Sequence, residues 1–166
     1  MPYVIEFSKW IKASHLSWMV LHYPWIWPTC ETLHFIGLAA LFGTVGMLDL
    51  RVLGMGKGLP FAPLHKLVPW GVGGFVINVL TGICFFAGDP FQYIHNIAFQ
   101  LKMLFVLLAG INMGIFYVTG MFRHAEGLGP GQDAPFGAKI VAGTSLFLWI
   151  GVMYFGRMLP FLGDAF

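Results

Sequence analysis

Charge is what this sequence has least of. Only 10% of its 166 residues are Asp, Glu, Lys or Arg, against roughly 25% in an ordinary soluble domain. Nine basic and seven acidic side chains cannot clothe a soluble protein of this size. A net charge of +2 and the lack of any Lys/Arg run give no footing for a nucleic-acid partner. Cysteine is equally scarce. Cys30 and Cys84 stand far apart with no CxxC, which excludes a disulfide scaffold and a zinc knuckle. No P-loop, HExxH, nucleophile elbow or GxGxxG in the right setting occurs, so no catalytic activity of its own is expected. Nor do the first residues read as a cleaved leader: Glu6, Lys9, Lys12 and His15 interrupt what would be its apolar core.

What is present is apolar. The chain is 58% hydrophobic and 17% aromatic, and its length suits one small domain. A helix crosses a bilayer with about 20 mostly apolar residues, and residues 28–50, 67–87, 97–122 and 139–162 each meet that requirement. Pro28 suits a first helical turn and Thr29 a cap. The second stretch is uncharged and ends at the turn signal Gly88-Asp89-Pro90. Lys102 is the only charge in the third, and Arg157 lies near the end of the fourth. The expected fold is all-α: an integral-membrane four-helix bundle over residues 28–162. Residues 1–27 would precede it as an amphipathic interfacial helix and aromatic linker. Val4, Phe7, Trp10, Ile11 and Val20 alternate there with Glu6, Lys9, Lys12, Ser14 and His15 at near-helical spacing. Trp18, Tyr23, Trp25 and Trp27 fit an aromatic belt at headgroup depth.

Loop charges suggest an orientation. Arg51, Lys57, Lys66, Arg123 and Lys139 flank the loops after the first and third spans. Lys9, Lys12, Lys102 and Arg157 mark the other side. The bias puts those two loops in the cytoplasm and both termini in the periplasm.

Lipid provides no hydrophobic drive between helices, so small residues and polar contacts must hold them. The third span offers the GxxxG of Gly110 and Gly114, and the second a stripe of Gly74, Asn78 and Gly82. Ala39, Gly43, Gly143 and Gly151 supply small residues in the other two. Asn78 and Asn112, each in mid-span, are expected to bond each other or a backbone carbonyl, the alternative being a polar step in a pore. Asp49 and Arg51, two apart, are expected to snorkel to the surface rather than pair.

Ionisable groups inside a membrane are functional candidates by default. Most of them gather at one end: Cys30, Glu31 and His34 early in the first span, Cys84 late in the second, then Asp89, His95 and Lys102. His15 and His22 approach from the N-terminal segment. Glu31 and His34 form a single ExxH unit, and di-iron bundles need two such units, so no di-iron site is expected. Cys30, Glu31, His34 and His95 have the chemistry to bind one copper or zinc ion. His34, with His95 or His22 across from it, has the chemistry to hold haem b, walled by Phe35, Phe75, Phe85, Phe86 and Phe99. The plainer alternatives are a Glu31–Lys102 salt bridge, His34 bonded to a carbonyl, and two cysteines that are either core residues or a disulfide.

Glu31-Thr-Leu-His-Phe-Ile-Gly37, Leu48-Asp-Leu-Arg-Val-Leu-Gly54 and Ala98-Phe-Gln-Leu-Lys102 carry a family likeness. With Asn112, Trp149-Ile-Gly-Val152 and Gly156-Arg157, they resemble a bacterial family of small four-helix inner-membrane proteins of unknown function. More loosely the layout is similar to copper-resistance D-type membrane domains. The resemblance implies a bacterial inner-membrane location and marks His34, Asp49, Arg51, Lys102 and Asn112 as motif positions. The functional expectation is a haem- or metal-binding redox accessory subunit of a larger membrane complex. Its expected partners are the lipid bilayer and other membrane subunits or further copies of itself as a homo-oligomer; the alternatives are a cofactor-free structural or assembly subunit and a small proton or solute transporter.

Overall fold

The computed structural model describes residues 2–162; Met1, the first residue of the expected interfacial segment, lies outside them. Every regular element among the described residues is a helix. The N-terminal segment forms two, α1 (Pro2–Lys12) and α2 (His15–His22). Ser14 divides them, its hydroxyl accepting the Ser17 N–H at 3.2 Å and so capping α2. The long helices are α3 (Ile26–Leu53), α5 (Val68–Gly88), α7 (Ile97–Val118) and α9 (Phe136–Met158). Short helices α4 (Phe61–His65), α6 (Pro90–His95) and α8 (Met121–Glu126) lie in the connections, α4 leading straight into α5. The four long helices have the length and apolarity to cross a membrane. Only 11–33% of the most apolar stretch of each is buried inside the protein. Their outward faces need an apolar solvent, which makes this a multi-pass integral membrane protein.

Helix boundaries depart from the expected spans for local reasons. α3 begins at Ile26, so Thr29 is not its cap; the Thr29 hydroxyl donates back to the Trp25 carbonyl at 2.7 Å. α7 stops at Val118 rather than 122 because Gly120, at φ 74°, turns the chain into α8. α9 starts directly after Pro135 and ends before Pro160, two residues that cannot continue a helix in those directions.

α3 packs along α5 on one side and α9 on another, and α7 leans on α9. The closest approach is backbone on backbone. A Cβ on Gly74 would stand 2.5 Å from the Gly37 carbonyl oxygen, and one on Gly37 would stand 2.8 Å from the Gly74 oxygen. At the α7–α9 contact the Phe105 ring occupies the space a side chain on Gly151 would need. Other expected packing residues do not pack. Gly43, Gly82, Gly110 and Gly114 have open space where a Cβ would go, and Ala39 is exposed. The GxxxG of α7 faces outward because Asn112, about 200° around the helix from Gly110, is the buried residue. Its amide donates to the Val141 carbonyl of α9 at 3.1 Å. Asn78 donates to Gly74 of its own helix at 2.9 Å. The two asparagines thus take backbone carbonyls and do not pair.

The far end, where α3 finishes, is the best packed. Val52, Phe61, Ala125, Leu128, Ala134, Ala138 and Ala142 form its core. Arg51 does not snorkel: it is 2% exposed. Its Nε donates to Leu59 O at 2.6 Å, Nη2 to Gly129 O at 3.0 Å and Nη1 to Gln132 O at 3.3 Å. Two loops fold over the guanidinium, whose rigid fork satisfies carbonyls that irregular backbone leaves unpaired. Asp49 also stays inside. One carboxyl oxygen meets Ser145 of α9, and Oδ2 is buried without a partner.

Outside this core Asp133 ties the same two loops, to Lys57 at 3.0 Å and to Lys139 at 2.8 Å. Hydrogen bonds from Lys139 and then Lys57 hold its carboxyl down from 3.8 to about 2. A depressed carboxyl pKa stabilises the fold above the ordinary value and ceases to do so as pH falls through the depressed one. The clamp is therefore expected to persist to pH 4 and open between there and about 2. Carboxyl-carbon NMR of Asp133 checks this; a midpoint near the ordinary aspartate value contradicts it.

Candidate functional site

Trp27, Cys30, His34 and Gly37 recur at three- and four-residue steps along α3 and so share the face turned to α5. His34 is half-buried there. Its Nδ1 lies 2.7 Å from Thr81 Oγ1, and its ring meets the Phe85 ring edge-on at 5.5 Å. The Thr81 hydroxyl also lies 2.7 Å from the Ile77 carbonyl and 3.3 Å from that of Asn78. When its single proton goes to one of those carbonyls, Thr81 accepts from His34 Nδ1–H and Nε2 keeps its lone pair. This is how partner groups orient a histidine that ligates a metal or takes a proton.

Lys102 reaches the same region from α7. Its stem lies over Gly156 of α9, with Nζ 3.6 Å from where a Cβ on that glycine would be. The ammonium acts electrostatically on His34. Three helices thus bring His34 and Lys102 into mutual range. Glu31 does not join them. It is exposed, and among the described residues no ion pair links it to Lys102. The Glu31–Lys102 bridge, one of the alternatives, does not form among the described residues, and Glu31 lies instead within electrostatic range of Tyr93 in α6. There burial first, then the charges of Asp89 and Glu31, push the Tyr93 phenol above its usual range. Asp89 itself pairs with Lys12 at 3.1 Å, joining α1 to the start of α6.

The remaining histidines look elsewhere. His95 and His22 are exposed, and each donates Nδ1–H to the carbonyl four residues back, at 2.8 Å and 2.9 Å. His95 meets Phe91 at a tilt at 4.3 Å, His22 stacks on Trp18 at 4.5 Å, and His15 stacks on Trp18 at 5.7 Å. Their local hydrogen bonds fix these rings against their own helices. Among the described residues, no three His, Cys, Asp or Glu side chains are placed to hold a metal ion. Cys30, Glu31, His34 and His95 therefore do not form the expected ligand set. Of the expected porphyrin walls, Phe35 is 59% exposed and Phe75 39%. Phe85, Phe86 and Phe99 stay at the helical interface, Phe86 and Phe99 stacked at 5.9 Å.

Three contributors were not foreseen: Thr81, Ser145 and Asn96. The first two are lone hydroxyls in apolar spans, and that polarity was the available signal. Asn96 precedes a helix, where its type is a capping signal. Its Oδ1 accepts the Ala98 and Phe99 N–H groups at 2.8 and 3.4 Å, while Nδ2 donates to Leu159 O at 2.9 Å. It caps α7 and ties it to the end of α9, fixing the depth of Lys102. In comparisons with known proteins, no family model, no curated protein and no solved structure matches this chain.

Proposed function

We propose that this is a membrane redox accessory protein that binds haem b through His34. The observation carrying the reading is the half-buried imidazole anchored through Nδ1 to Thr81, which leaves Nε2 outside that bond. A haem iron needs only one protein ligand, whereas a bare copper or zinc ion needs a gathered set, and the described residues offer none. The residues that would hold haem are His34 as the iron ligand, Lys102 for a propionate, and Phe85, Phe86 and Phe99 for the ring. When bound, the haem supplies one-electron chemistry. The chain's own residues orient the ligand, balance carboxylate charge through Lys102, and keep water away with aromatic side chains.

The reading includes an inner-membrane four-helix bundle, with α1 and α2 lying in the periplasmic interface as amphipathic anchors. The family likeness around Glu31–Gly37 and Leu48–Gly54 supports this setting. In this reading the chain serves as an electron-transfer accessory of a larger complex. The outward Gly110 and Gly114 of α7 give such a partner a surface of close approach.

Purified protein produced with ample haem is expected to show a Soret band that His34→Ala abolishes. Thr81→Val should weaken it, since the imidazole loses its orienting acceptor, by about 10- to 100-fold in affinity. Fully folded protein without a Soret band, with or without bound copper or zinc, would sink the haem reading. The cofactor-free subunit and the proton carrier, with Asp49 as its first candidate, would then stand ahead of it.

A further inference from the structure

We infer that Cys30 and Cys84 are a reversible dithiol–disulfide pair that links α3 to α5. The geometry comes from the antiparallel register of those helices. Trp27 meets Gly88, His34 bonds Thr81, and Thr44 packs on Gly71, so the paired numbers add to 115 each time. Cys30 and Cys84 follow the same rule within one residue. They lie between the Trp27 and His34 levels, on the faces the helices turn to each other. Both thiols are free, and they are close enough to interact with each other. Nothing in the haem reading uses them.

Their depth suits exchange chemistry. Cys30 is in the second turn of α3 and Cys84 one turn from the end of α5, each half-buried, so the sulfurs sit near the water boundary. Exchange proceeds through a thiolate attacking a disulfide sulfur. The oxidant is a low-molecular-weight disulfide. One cysteine loses its proton to water and attacks that disulfide, forming a mixed disulfide and expelling one small thiolate. The second cysteine, also deprotonated, then attacks the protein-side sulfur. The Cys30–Cys84 bond forms, and a second small thiolate leaves. Both leaving groups take up protons. Two electrons pass to the small disulfide, giving one protein disulfide and two small thiols.

The link lies one turn from His34, so oxidation would lock the helix register on which the His34–Thr81 hydrogen bond depends. Reduction would release it. The thiol state is therefore a second input to the same helix pair, with its own readout.

The test uses the full chain in detergent, treated with oxidised glutathione and then an alkylating agent. Intact mass spectrometry should show a species lighter by two hydrogens that resists alkylation, and digestion should yield one peptide pair holding both cysteines. Dithiothreitol should restore two reactive thiols. Cys30→Ser and Cys84→Ser should each take up one glutathione and form no internal link. Two glutathiones on the wild type, disulfide-linked dimers in place of the internal bond, or two thiols still alkylated under conditions that oxidise an exposed peptide dithiol would each overturn the inference. None of these readouts depends on haem, so the two proposals fail separately.

Discussion

Replacing Arg51 with alanine is expected to cost about 4 kcal/mol, among the largest losses any single substitution causes here. Three loop carbonyls, of Leu59, Gly129 and Gln132, converge on one guanidinium that is 2% exposed. Hydrogen bonds to a charged group contribute roughly 1.5–3 kcal/mol each. The loss falls short of their sum because loops near the membrane surface can recruit water to some of the freed carbonyls. Removal also leaves a hole at a fully buried position, next in sequence to the core residue Val52. Arg51→Lys should recover less than half. A single ammonium is compact and cannot reach three carbonyls in a planar fork. Equilibrium unfolding in mixed micelles, followed by tryptophan fluorescence, measures both variants. An alanine variant within about 1 kcal/mol of wild type would mean that the loops hold without the arginine.

Arg51 also shows where sequence reading stops. Its expected escape to the surface was a sound inference for a lone cation at a helix end. It fails because two loops, distant in sequence, close over that end. No local pattern announces their meeting. The spans themselves were legible to within a few residues, since hydropathy accumulates over some twenty positions and small errors cancel. Facing was not. The Gly110–Gly114 motif and the Gly37–Gly74 contact are both small-residue features in apolar helices, and only the second is buried. The position of Asn112 decides this, because a polar amide must find a carbonyl while a glycine may face lipid without penalty.

The candidate site was legible in part for a similar reason. The sequence brought His34 and Lys102 to one level because depth along a span can be counted. It did not tell which way Glu31, His95 and His22 turn. Those orientations depend on short-range bonds to their own helices and on the placement of α6. Thr81 had no motif to mark it, and its role appears only once α3 and α5 are set in register.

That register rests on Gly74, and Gly74→Ala is expected to cost about 2–3 kcal/mol. The added carbon would stand 2.5 Å from the Gly37 carbonyl and 2.9 Å from the Leu41 nitrogen. Both obstacles are backbone atoms, which have no rotamer to change. α3 and α5 must separate or slide, and small residues at such contacts are what permits helices to associate in lipid at all. The movement carries to Thr81, two turns from Gly74 along α5, whose 2.7 Å hydrogen bond to His34 tolerates little displacement. Stability and histidine orientation should therefore fall together. Gly110→Ala and Gly114→Ala serve as controls in the isolated protein. Open space surrounds both positions, and alanine is the better helix former by about 1 kcal/mol. Each should be neutral or mildly stabilising in the same unfolding measurement. If the Gly74 variant were silent and the α7 variants damaging, the helix pairing would be the reverse of the one described, and His34 and Thr81 would lose the frame that joins them.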